Sequence, residues 1–111
     1  MDIATLAANQ GFTTEEFLEI LDVFVDSARG DVSRMTDALD KQDAPTAMEA
    51  AHSLKGAAGN VGFSDLFEAA KKAEFLARAE DLPRTREALS DVQRILETII
   101  SDLGRTGQRP D

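Results

Sequence analysis

Apolar residues return every three or four positions along most of this chain, and no stretch alternates long enough to make a strand. In the first long segment Phe17, Leu21, Phe24, Ala28, Val32, Met35 and Leu39 form one stripe, widened by Leu18 and Val25. Phe12-Thr13-Thr14-Glu15-Glu16-Phe17 opens that segment as a capping box, with Thr13 at the N-cap and Glu16 at N3. Phe12 and Phe17 take the two positions of a hydrophobic staple. Gly30 falls inside the segment and predicts a kink or a close contact. Upstream, Ile3, Leu6 and Ala7 predict a short helix that caps the bundle. A second helix is expected after Asp43, with Pro45 in its first turn, running to about Asn60 and stopped by Gly62. The third follows Ser64 and carries Leu66, Phe67, Ala70, Ala73, Leu76 and Ala77. The fourth follows Asp81 with Pro83 in its first turn; its stripe is Leu89, Val92, Leu96, Ile99 and Leu103, widened by Ile95 and Ile100. The tail Gly104–Asp111 reads as frayed.

Short connections make successive helices antiparallel. The expected fold is therefore all-α, an up-down-up-down four-helix bundle with a short extra N-terminal helix. One domain spans residues 1–111, with the bundle at about 13–103. A stripe so well matched to four helices suggests a monomer. The absence of cysteine excludes disulfides, zinc–thiolate sites and a thiol nucleophile, and fits a reducing, cytoplasmic setting. No apolar run reaches the roughly 20 residues that span a bilayer, and the acidic start Met1-Asp2-Ile3-Ala4 does not read as a signal peptide.

Charge changes the picture of partners. The net charge is -9, and residues 1–44 hold ten acids against three bases. Such a chain repels phosphate backbones and anionic lipids, which argues against nucleic acid and membranes. Solubility is the ordinary use of this acidity.

The second helix contains the only histidine, in His52-Ser53-Leu54-Lys55-Gly56-Ala57-Ala58-Gly59-Asn60-Val61-Gly62. Gly56 and Gly59 each cost about 1 kcal/mol relative to Ala in a helix interior. At 100° per residue, with His52 at zero, Lys55 falls near -60°, Gly56 near +40°, Gly59 near -20°, Glu49 near +60° and Met48 near -40°. Ala47, Ala51, Leu54, Ala58 and Val61 fall on the opposite, core-facing side. His52 thus stands outward beside one lysine and two bare positions.

An exposed neutral imidazole is a competent nucleophile near pH 7. One ring nitrogen can attack a phosphoryl group carried by a partner, with Lys55 placing positive charge near its oxygens. Gly56 and Gly59 leave room for the partner to approach, although Gly59 also suits a loose helix end. Met48 is either an apolar docking contact or a flank of the core. Glu49 is either a hydrogen-bond partner of the imidazole or a solvated acid. Ser53 reads as a surface hydroxyl, because no base and orienting group accompany it. The Gly-x-x-Gly-x-x-Gly spacing follows no strand, so it is not a dinucleotide fingerprint. One histidine without cysteine makes a metal site a poor reading, surface carboxylates offering calcium weak binding at most.

The run from Ala51 to Gly62 closely resembles the signature of histidine-containing phosphotransfer (HPt) domains. Asp43, Leu66, Glu74 and the Asp81 turn are similar to the family's pattern as well, so that roughly residues 12–103 are covered. The resemblance implies a four-helix bundle whose second bundle helix exposes the phosphorylated histidine. It implies a phosphoryl carrier, not an enzyme, in a multistep His–Asp two-component relay. His52 would accept phosphate from a receiver-domain aspartyl phosphate and pass it to another receiver aspartate. Lys55 would assist electrostatically, and Gly56 would leave space for docking. Partners would be response-regulator receiver domains and a hybrid histidine kinase. No cofactor of its own is expected; the Mg²⁺ would sit in the receiver. The phosphorylated domain of chemotaxis kinases shares His-x-x-Lys-Gly, but Ala69-Ala70-Lys71-Lys72-Ala73-Glu74 lacks the histidine that group usually has before its glutamate. With Met1 at the start and one bundle, a free-standing carrier is the preferred expectation. An excised kinase domain and a non-transferring helical adaptor are the alternatives.

Overall fold

The computed structural model describes residues 2–105. It contains helices α1 (Ile3–Asn9), α2 (Thr14–Asp40), α3 (Ala44–Val61), α4 (Ser64–Arg78) and α5 (Leu82–Arg105), and no strand among the described residues. Helix α3 packs between α2 and α4, α4 packs on α5, and α5 closes back on α2. The three-residue and two-residue links between these helices make the bundle antiparallel. This is the all-α bundle with a short N-terminal helix that the periodicity predicts. No helix among the described residues is long and apolar enough to cross a membrane.

The ends of the helices follow local chemistry. Thr13 Oγ1 accepts from the Glu16 amide at 3.1 Å, and the Glu16 carboxylate accepts from the Thr13 amide at 2.8 Å. The Phe12 and Phe17 rings stack with centroids 6.4 Å apart. Asp43 caps α3, accepting from the Thr46 amide at 3.2 Å and the Thr46 hydroxyl at 2.6 Å. Gly62 ends α3 at φ 85°, a left-handed conformation that glycine adopts at no steric cost. The Gln10 side chain, at the end of α1, donates to the Val61 carbonyl at 3.0 Å and ties α1 to that same helix end.

Two expectations change. Gly30 neither interrupts α2 nor meets a neighbour: the helix runs through it, and a Cβ there would touch nothing within 4 Å. Residues 104 and 105, the first two of the expected tail, belong instead to α5, directly after the fully buried Leu103. Residues 106–111 of the expected tail lie outside the described residues.

The core has two parts. One contains Phe17, Leu21, Phe24, Leu54, Leu66, Val92 and Leu96, with Ile3 and Ala7 of α1 closing it. The other is built largely of alanine: Ala38, Ala47, Ala50, Ala51, Ala73, Ala77 and Ala88 around Met35, Leu39 and Leu89. Small residues on facing surfaces let helices approach closely. Ala47, Ala50 and Ala51 of α3 and Ala73 and Ala77 of α4 are the part of it that forms an alanine seam between these two helices, next to His52 and Glu74 in sequence.

Candidate functional site

His52 projects from the middle of α3 with its side chain 68% exposed. The residues on the opposite side of α3, including Ala51, Leu54 and Ala58, are buried, as the helical spacing requires. The imidazole is nevertheless held. Its Nδ1 lies 2.8 Å from Oε2 of Glu74, which reaches across from α4. Lys55, one turn along α3, places Nζ 2.7 Å from the other oxygen, Oε1. Arg78, one turn along α4, donates to Oε2 at 2.9 Å. One buried carboxylate thus gathers three donors from two helices.

The charge state of Glu74 decides what this cluster can do. Burial pushes its carboxyl up and is the largest single influence. The hydrogen bonds from Lys55 and His52, the Lys55 charge and the Arg78 hydrogen bond together outweigh it and bring the value from 4.5 down to about 2. At neutral pH Glu74 is therefore ionised and can only accept. The 2.8 Å contact then requires the proton on Nδ1 of His52. A neutral imidazole with Nδ1–H carries its lone pair on Nε2, the nitrogen left for an incoming group. The arrangement orients an exposed imidazole nitrogen beside two cations and can serve as a nucleophile.

A depressed carboxylate stabilises the fold above its unfolded value and loses that contribution as pH falls through its folded value. The Glu74 contribution is accordingly complete above about pH 4.5 and is lost between about 4.5 and 2. Thermal melts across that window should show a steeper fall in Tm for the wild type than for Glu74→Gln, whose side chain does not titrate. Parallel curves would mean that the cluster adds nothing to stability.

The sequence-derived residues divide. His52 and Lys55 meet at Glu74. Glu49 is exposed, and the hydrogen-bond partner of the imidazole is Glu74, not Glu49. Met48 is half-buried against the alanine-rich part of the core. Gly56 is exposed, with nothing within 4 Å of an added Cβ. Gly59 has a packing reason of its own: a Cβ there would stand 3.2 Å from Cδ1 of Phe67 on α4. Ser53 is more than a surface hydroxyl, since it donates at 2.9 Å to Asp31, a buried acid on α2. Adjacent residues of α3 are thus tied to acids on both flanking helices.

Sequence reasoning missed the roles of Glu74 and Asp31, and the signal was present. Glu74 lies among Ala70, Ala73 and Ala77 on the buried stripe of α4, and Asp31 lies between Ala28 and Met35 on that of α2. A carboxylate on an apolar stripe demands a buried partner.

Gly30 and Gly56 form a matched pair for testing the bare surface. Either Gly→Ala change should stabilise its helix by about 1 kcal/mol, since neither new methyl meets a neighbour. Denaturant midpoints would show the gain. Only Gly56→Ala should weaken binding of a partner at His52; equal binding by both variants would remove the docking role of Gly56.

Comparison with known proteins adds one finding. Neither a curated protein nor a solved structure matches this sequence. The family model described as Hpt domain matches residues 19–103, which includes the whole of α3 and α4 with His52, Lys55, Glu74 and Arg78. With most of the chain matched and its one histidine presented on a helical bundle, this chain belongs to the Hpt domain family.

Proposed function

We propose that the chain is a phosphoryl carrier in a His–Asp relay, loading at Nε2 of His52. The observation that carries this reading is the 2.8 Å contact from Nδ1 to Glu74, which leaves the Nε2 lone pair on an exposed imidazole. The Nε2 lone pair attacks phosphorus of a receiver's aspartyl phosphate. The N–P bond forms, the P–O bond to the aspartate breaks, and the aspartate leaves as carboxylate. The ring gains a positive charge, which the Nδ1–H···Glu74 hydrogen bond stabilises, and Lys55 offsets charge on the phosphoryl oxygens. Attack by a second receiver's aspartate reverses the step and restores neutral His52. Mg²⁺ bound by the receiver would neutralise charge on the transferring group, and this chain would bring no cofactor. The protein is thus a substrate of receiver chemistry, acting in the cytoplasm with receiver domains and a hybrid kinase as partners. Gly56 gives the receiver its approach.

The test is incubation with a panel of phosphorylated receiver domains, following an acid-labile, base-stable phosphoryl group on this chain. Transfer from at least one receiver supports the carrier. Binding with no transfer from any receiver would make the chain an adaptor.

A further inference from the structure

Glu74 has a third donor that neither the nucleophile nor its neighbouring lysine explains. Arg78 Nη2 lies 2.9 Å from Oε2, the same oxygen that accepts from His52 Nδ1. An exposed ion pair between residues i and i+4 ordinarily contributes little, and the Arg78 side chain is 60% exposed. Two features set this pair apart. The carboxylate it touches is buried, so packing limits where its oxygens can go. The oxygen it holds is the one that orients the imidazole, while Lys55 draws the opposite oxygen at 2.7 Å. With Lys55 alone, the carboxylate would be drawn to one side and could turn away from Nδ1. Arg78 pulls against that turn. It also supplies the second positive charge around a single negative one, so that Lys55 can face an incoming anion without leaving Glu74 unpaired.

We propose that Arg78 is a positioning residue for His52, holding Glu74 Oε2 in line with Nδ1 so that the Nε2 lone pair is presented to the phosphoryl group. The consequence for transfer rests on the carrier reading; the effect on the imidazole does not. Arg78 neither gives nor takes a proton in the step, and the bonds made and broken are those already described.

Ring ¹⁵N NMR of His52 in the full chain at neutral pH, with no partner present, reads the tautomer directly. Wild type should show the Nδ1–H form. Arg78→Ala should move the ring toward a mixture of tautomers, and Arg78→Lys should restore part of the Nδ1–H population. Transfer from a phosphorylated receiver, measured in parallel, should lose about tenfold in maximal rate in Arg78→Ala, with the half-saturating receiver concentration unchanged. An unchanged tautomer in Arg78→Ala would overturn the proposal. So would a rise in half-saturation alone, which would make Arg78 a docking contact. Failure of wild type to accept phosphate would defeat the carrier reading, while the tautomer measurement would still decide the role of Arg78.

Discussion

His52→Gln is expected to abolish phosphoryl acceptance while leaving folding stability within about 0.5 kcal/mol. The two halves of this expectation have different causes. The Gln side-chain nitrogen has its lone pair delocalised into the carbonyl, so it offers no nucleophile in place of Nε2. Stability is spared because the histidine side chain is 68% exposed and belongs to neither part of the core. The amide of Gln can also donate to Glu74, which keeps that buried acid partnered alongside Lys55 and Arg78. Receiver-driven phosphorylation and a urea melt on the same preparation would check both halves. Persistent labelling of the variant would show that the acceptor is another residue. A stability loss of several kcal/mol would mean that the imidazole carries a structural load the geometry does not assign to it.

Glu74→Ala should act in the opposite sense and reduce both quantities. The carboxylate joins α3 to α4 through His52 and Lys55, so its removal deletes the polar link across the alanine seam. The expected cost is about 1–3 kcal/mol. It falls toward the lower end because Lys55 is 25% exposed and Arg78 more so, and both can turn to water. Transfer should slow by about 10- to 100-fold, since the imidazole loses the group that fixes its tautomer and orientation. Glu74→Gln separates these roles. Its carbonyl can still accept from Nδ1–H, but its amide would face Lys55 as donor against donor, so it should recover part of the rate and little of the stability. Measured transfer in Glu74→Ala at the wild-type rate would end the argument that Glu74 orients His52.

The bundle was legible because its determinants are local. The capping box at Thr13, the Asp43–Pro45 start and the Gly62 stop each involve residues within a few positions of one another. Their chemistry is the same in the isolated segment as in the fold. The outward position of His52 follows from 100° per residue and needs no tertiary information. The start of the expected tail was placed too early for a related reason: nearness to the chain end is local, whereas the burial of Leu103 depends on the fold.

By itself the sequence determined four amphipathic helices, an exposed His52 with Lys55 on its flank, and a chain of net charge -9. Only the tertiary structure decided that Glu74, 22 residues away, rather than nearby Glu49, holds the imidazole. Only the tertiary structure tied Ser53 to Asp31 and gave Gly59 its contact with Phe67. Helical periodicity reports which face of a helix a residue occupies. It does not report the axial level at which two helices meet, and that level follows from how the alanine seam between α3 and α4 packs. A hydrogen bond tolerates only a few tenths of an ångström, so the partner of His52 was settled by that packing.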